Sequence, residues 1–284
     1  MLRKSGHEVV ETSNGAQAWD ALRQKQPPSL AILDWMMPEM DGVDVIRNVR
    51  SLNTDLPTYI IMLSGRGEKA DIITGLAAGA DDYIAKPFDP GELAARIDVG
   101  RRLIEMQTRL NEARLALAHE ATHDALTGTL NRRAILDALS HEIAREKRHP
   151  VGLTVGICDI DHFKGVNDAH GHLIGDEVLY GFVRLLQGKL REYDLLGRFG
   201  GEEFVVITPG LGLEDSAALY RRFLEVVAEN PIPTQAGDVR ITISIGVATW
   251  KPEQKMDALL TEADTALYRA KNEGRNRVCL SAER

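Results

Sequence analysis

Apolar and polar positions alternate with two different periods along the first hundred residues. Short runs at 8–12, 30–34, 58–64 and 83–85 read as strands, and amphipathic stretches at 16–24, 43–52 and 70–78 read as helices between them. Strands alternating with helices imply a parallel sheet covered by helices on both faces. Pro87 and Pro90 then break the pattern, and the chain from Glu92 to about Glu120 reads as one long helix. Along it Val99, Leu103, Met106, Leu110, Ala113 and Leu117 recur at alternating spacings of four and three. That is a narrow coiled-coil seam, the kind that pairs with a second copy of itself.

A second α/β unit is expected from near His123. The continuous apolar run at 151–159 predicts a strand buried on both faces. Runs at 195–199 and 203–208 flank Gly200-Gly201, and a Gly-Gly pair between two such runs signals a hairpin. A further strand is expected at 239–248 and a closing helix at 256–271.

Composition narrows the class of protein. At 284 residues the chain is long enough for two domains, each with its own core. A formal net charge of −8 argues against nucleic acid or an anionic membrane as partner, since both want clustered Lys and Arg. Only two cysteines occur, Cys158 and Cys279, outside any CxxC spacing, so no disulfide framework is expected. With neither a signal-like apolar segment nor a membrane-length apolar run, the expected location is cytoplasmic.

Candidate chemistry lies in both halves. In the first, Asp34 ends a strand, Ser64 ends the next, and Lys86 follows the third. Ligands bind at the carboxyl ends of strands in open parallel sheets. A carboxylate, a hydroxyl and an ammonium gathered there could accept a phosphoryl group and register its presence.

The stretch Leu33-Asp34-Trp35-Met36-Met37-Pro38-Glu39-Met40-Asp41-Gly42 resembles the phosphoacceptor loop of two-component receiver domains. Leu63-Ser64-Gly65 and Ala80-Asp81-Asp82-Tyr83-Ile84-Ala85-Lys86-Pro87-Phe88 resemble later segments of that family. The resemblance implies a flavodoxin-like fold over residues 1–98. It also implies phosphorylation of Asp34 by a sensor histidine kinase, phosphate contacts from Ser64 and Lys86, and a rotamer change at Tyr83. The family opens with a strand ending in a metal-binding acidic pair, in strand order 2-1-3-4-5. Here that strand is absent, so either the true start lies upstream or this half is a remnant scaffold or dimer surface. The chain as written is therefore expected to take up little phosphate.

In the second half, Cys158-Asp159-Ile160-Asp161 closes the buried strand with two carboxylates. Buried charges are costly unless compensated. The hairpin delivers Glu202 and Glu203 beside them if the strands are neighbours. Such oxygen ligands suit Mg²⁺, which fills its octahedron with phosphate and water. Lys271 and Arg275, four apart on the last helix and its end, can reach anionic oxygens.

Gly200-Gly201-Glu202-Glu203-Phe204 resembles the signature of the GGDEF diguanylate cyclases in its GGEEF form. His123-Asp124-Ala125-Leu126-Thr127-Gly128-Thr129-Leu130-Asn131-Arg132-Arg133 resembles that family's entry segment. The resemblance implies an α/β fold like the nucleotidyl cyclase palm over 123–284, preceded by a helical stalk at 92–122. It implies that two GTP molecules are condensed into cyclic di-GMP by a homodimer, with Mg²⁺ as cofactor and Mn²⁺ as an alternative. Asp159, Glu202 and the Ile160 carbonyl would hold the metal, and Glu202 would help deprotonate the attacking hydroxyl. Asn167 and Asp176 would read guanine, with Phe163 and His172 nearby, and Lys164, Lys271 and Arg275 would hold phosphates. Arg191 and Asp194, in Arg191-Glu192-Tyr193-Asp194, match the family's inhibitory product site. Two other readings compete: a module that binds cyclic di-GMP but makes none, and a dimerisation scaffold without nucleotide chemistry.

Overall fold

The computed structural model describes residues 2–52, 54–65 and 69–281. The chain divides into two compact units, Met1–Ala116 and Leu117–Arg284.

In the first unit α1 (Gly15–Leu22), β1 (Leu30–Asp34), α2 (Gly42–Arg50), β2 (Tyr59–Ser64), α3 (Lys69–Ala77) and β3 (Asp82–Ala85) alternate. The strands are parallel, in the order β1-β2-β3. On β2, Ile60 and Met62 join Ala18, Leu22, Ile46 and Val49 of α1 and α2, whereas Tyr59 and Ile61 join Leu93 and Ile97. Successive strand residues point to opposite faces, so a run that is apolar at every position serves two layers. Asn14 caps α1 by accepting from the Gln17 N–H.

Residues 8–12, expected as a strand, form none. Val10 is exposed, and among the described residues β1 is paired on one edge only, by β2. A strand exists through its ladder partner, and β-branched residues without one gain nothing from extension.

The long helix α4 (Pro90–Thr122) follows. Leu93, Ile97 and Gly100 are its buried face. The seam residues Val99, Leu103, Met106, Leu110 and Leu117 are 39–71% exposed.

The second unit contains α5 (Arg132–Arg148), β4 (Leu153–Ile160), α6 (Phe163–His170), α7 (His172–Gln187), β5 (Leu195–Gly200) and β6 (Glu203–Pro209). There follow α8 (Leu213–Glu229), β7 (Ile232–Thr234), β8 (Gly237–Val239), β9 (Ile243–Thr249), α9 (Met256–Asn272) and β10 (Val278–Leu280). The main sheet has the order β10-β9-β4-β6-β5, with β10 parallel to β9 and the other pairs antiparallel. All of β4 is buried, because it is central in the sheet and covered on both faces. Cys158 and Ile160 face Phe182, Phe204, Tyr220 and Phe223, while Val155 and Ile157 face Ile135, Leu139, Leu259 and Leu267. Burying each of these aromatic side chains contributes roughly 1.5–3 kcal/mol.

Two expectations are corrected here. The run at 239–248 is not one strand: β8 ends at Val239, residues 240–242 belong to no strand, and β9 starts at Ile243. The chain changes partner there, leaving the β7–β8 hairpin to pair with β4, with Ile243 opposite Ile160. The hairpin turn is also displaced by one residue. Gly200 pairs with Glu203, so Gly201 and Glu202 form the turn, and Gly201 has φ +52°, a conformation open to glycine.

Candidate active site

Asp159 lies near the end of β4, opposite Glu203 of β6 and Ser244 of β9. Neighbours on both strand edges leave it 7% exposed. The turn sets Glu202 beside it, and the Ile160 N–H donates to the Glu202 carbonyl at 3.4 Å. From α9, Lys271 Nζ donates to Asp159 Oδ2 at 2.7 Å. Burial pushes the Asp159 carboxyl above the usual carboxylate range; Lys271 opposes this, and the charges of Glu202 and Glu203 reinforce it. Three carboxylates and one ammonium thus share this strand end, an excess of negative charge that a divalent cation would offset. Among the described residues no three carboxylate, imidazole or thiol groups converge closely enough to hold a metal by themselves. Asp159 and Glu202, with the main chain of Ile160 between them, fit a hard cation that takes its remaining ligands from phosphate and water.

The second carboxylate of the strand end, Asp161, is already compensated. It accepts from Thr242 Oγ1 and Ser244 Oγ, both at 2.7 Å, and from the Asn276 N–H at 3.1 Å. No cation is needed to balance it. Through Asn276 it anchors the loop after α9, where Gly274, Arg275 and Asn276 all have positive φ. That loop carries Arg275, which is half-buried, whereas Lys164 is exposed.

Helices α6 and α7 meet at Asn167 and Gly175. A Cβ on Gly175 would stand 1.9 Å from Asn167 Oδ1 and 3.3 Å from the Phe163 ring, so only glycine lets this amide lie against α7. Phe163 is buried beneath it, and His172 and Asp176 are exposed on α7. Asp176 also borders a largely apolar groove of about 500 Å³ with Leu126, Tyr180, Arg184 and Ile232.

Arg191 and Asp194 line a separate cleft of about 430 Å³ with His123, Thr129 and Glu192. Asp194 is 7% exposed. Its Oδ2 accepts from the Arg191 main-chain N–H at 2.8 Å, and its Oδ1 has no partner among the described residues. Burial raises its pKa above the ordinary value, against the main-chain bond and the charge of Arg191.

In the first unit Asp34, Ser64 and Lys86 do gather at the carboxyl ends of β1–β3. Lys86 is ion-paired with Asp34, and its N–H donates to the Ser64 carbonyl at 2.7 Å. Tyr83 is half-buried on β3.

This arrangement matches a known family. Residues 121–277 match the family model described as the diguanylate cyclase GGDEF domain. The chain belongs to the GGDEF family. Residues 1–98 match the response regulator receiver domain. Diguanylate cyclase DgcP of Pseudomonas aeruginosa is 33% identical, over 83% of this chain and 37% of that protein. Response regulator PleD of Caulobacter vibrioides is 33% identical, over 89% of this chain and 56% of that protein. The chain therefore spans well under two thirds of either curated relative. The coiled coil and GGDEF domain of DgcB from Caulobacter crescentus, solved in complex with c-di-GMP, superposes with a TM-score of 0.60 at 30% identity. That match covers 66% of this chain and 98% of the other.

The sequence pattern marked Asp161 but not its hydroxyl partners Thr242 and Ser244, and gave no sign of the Arg198–Asp124 ion pair, N–O 3.1 Å. The one local signal was Gly274-Arg275-Asn276, since Gly and Asn tolerate a left-handed backbone.

Proposed function

We propose that this GGDEF protein is a diguanylate cyclase that condenses two GTP molecules into cyclic di-GMP. The observation that carries this reading is the convergence of Asp159, Glu202 and Lys271 at the end of β4. Each 3′-hydroxyl attacks the α-phosphorus of the other GTP. A phosphorus–oxygen bond forms, the α–β phosphoanhydride breaks, and pyrophosphate leaves. Glu202 would take the hydroxyl proton. Asp159, Glu202 and the Ile160 carbonyl would hold Mg²⁺ or Mn²⁺, which when bound neutralises phosphate charge. Asn167 and Asp176 read the guanine edge over Phe163 with His172 nearby, and Lys164, Lys271 and Arg275 bind phosphate oxygens.

Two catalytic units must face each other to place each hydroxyl in line. The exposed seam of α4 supports a homodimer. Asp194 Oδ1, without a partner among the described residues, supports product binding by Arg191 and Asp194 in their cleft. The Asp34–Lys86 pair supports Asp34 as the residue of the receiver half that a sensor kinase would phosphorylate, and little phosphate uptake is expected of this chain. Incubating the purified protein with GTP and Mg²⁺ should yield cyclic di-GMP and pyrophosphate by mass spectrometry. Binding of cyclic di-GMP without its formation would overturn the enzymatic reading in favour of a sensor module.

A further inference from the structure

Arg198 joins two parts of the catalytic unit that lie 74 residues apart in sequence. It sits on β5 opposite Phe204, at the last pair before the β5–β6 register shifts, and its side chain reaches the turn. Its Nε donates to the Gly201 carbonyl at 2.9 Å. Its Nη1 donates to both carboxylate oxygens of Asp124, at 3.1 and 3.3 Å. The two side chains are 18% and 23% exposed, so these charge-assisted bonds are only weakly screened.

The consequence for Glu202 follows from peptide planarity. The Gly201 carbonyl and the Glu202 N–H share one rigid plane, so fixing that oxygen fixes the chain entering Glu202. On its other side Glu202 is held by the long 3.4 Å bond from Ile160. The firmer of these two tethers is therefore Arg198.

Asp124 is itself locked in place. Its Oδ1 accepts from the Thr127 N–H at 2.9 Å and from Thr127 Oγ1 at 2.7 Å, and its own N–H donates to the Thr129 carbonyl at 2.8 Å. It stands two residues beyond Thr122, the last residue of α4. The same segment is stitched to β5 by bonds from Leu130 N–H to the Leu196 carbonyl at 3.1 Å and from Arg198 N–H to the Leu130 carbonyl at 2.8 Å.

The geometry points to Arg198 as a positioning residue that sets the orientation of Glu202 and ties it, through Asp124, to the segment leaving α4. Arg198 acts through the turn and needs no contact with substrate. A shift of the chain at the end of α4 is relayed to the Glu202 turn by this guanidinium, alongside the main-chain bonds of Leu130 to β5. This inference rests on the cyclase reading, because it assigns Glu202 a place in the reaction.

Arg198→Lys tests it on the full-length protein. A lysine keeps the charge but lacks the planar fork that spans a carboxylate and a carbonyl together. The expected result is a kcat lower by roughly 10²-fold, a KM for GTP within about twofold, and half-saturating Mg²⁺ raised about tenfold. Asp124→Asn should move the same quantities in the same direction, and the double variant should be little worse than Arg198→Lys alone. Hydrogen exchange supplies a readout independent of turnover. Amides of 199–204 should exchange faster in Arg198→Lys, while those of β4 and α9 stay at wild-type rates. Wild-type kcat and Mg²⁺ dependence in Arg198→Lys would overturn the inference. So would exchange that rises evenly over the unit, which marks a structural role. A wild-type protein that makes no cyclic di-GMP would sink the cyclase reading alone, and the exchange pattern would still decide what Arg198 holds.

Discussion

Lys271 reaches from α9 to Asp159 on β4 with a 2.7 Å ion pair, so among the described residues the cation paired with this buried carboxylate comes from the helix that closes the fold. The pair is 30% and 10% exposed, and Glu202 and Glu203 press the same carboxylate with like charge.

Removing that ammonium should therefore expose a dependence on divalent cation. Lys271→Met is expected to destabilise the protein by on the order of 2 kcal/mol, less than for a fully buried pair because the lysine is partly solvated. Mg²⁺ should raise the melting temperature of the variant more than that of wild type. Equal Mg²⁺ shifts in a thermal melt would show that metal and lysine do not share Asp159.

Glu202 is half-buried in the turn, and its main-chain bond does not involve its carboxylate. Glu202→Gln should leave melting unchanged and lower cyclic di-GMP formation at least about 10²-fold. A variant keeping more than roughly a tenth of wild-type turnover would remove Glu202 from the chemistry.

Product feedback should depend on pH through Asp194. Its carboxyl titrates above its ordinary value because it is buried. Stability from this group is greatest below the ordinary carboxylate pKa and is lost as pH rises through the raised value. Product binding needs the ionised form to accept guanine N–H groups, so inhibition should strengthen over that same rise. Arg191→Ala should relieve it at every pH. Inhibition that stays constant as pH rises from the ordinary carboxylate pKa upward, or an unaffected Arg191→Ala, would contradict this assignment.

Gly175→Ala probes the guanine site. The new methyl must push the Asn167 amide aside, since 1.9 Å allows no contact. The displaced atom is the tip of a side chain, so folding should survive while KM for GTP rises about tenfold. Steady-state kinetics showing an unchanged KM would mean that Asn167 does not read the base.

The periodic elements were legible in the sequence because they rest on local pattern. The run at 30–34, the helices of the first unit and the long helix from Pro90 follow from their own apolar spacing. Strand partners are another matter. Residues 8–12 carry a strand-like pattern and form no strand, and the run at 239–248 divides between two sheets. The Gly200-Gly201 pair announced a hairpin, yet only the β5–β6 register moved the turn onto Gly201 and Glu202. By itself, then, the sequence determined where regular structure forms and which acidic and basic residues stand near its ends. Tertiary structure alone decided that Asp161 is balanced by Thr242, Ser244 and Asn276 while Asp159 is left to Lys271, and that Arg198 clasps Asp124. The physical reason is that periodicity is written within one turn or pleat, whereas a buried charge is satisfied by whichever groups the finished fold brings to it from far along the chain.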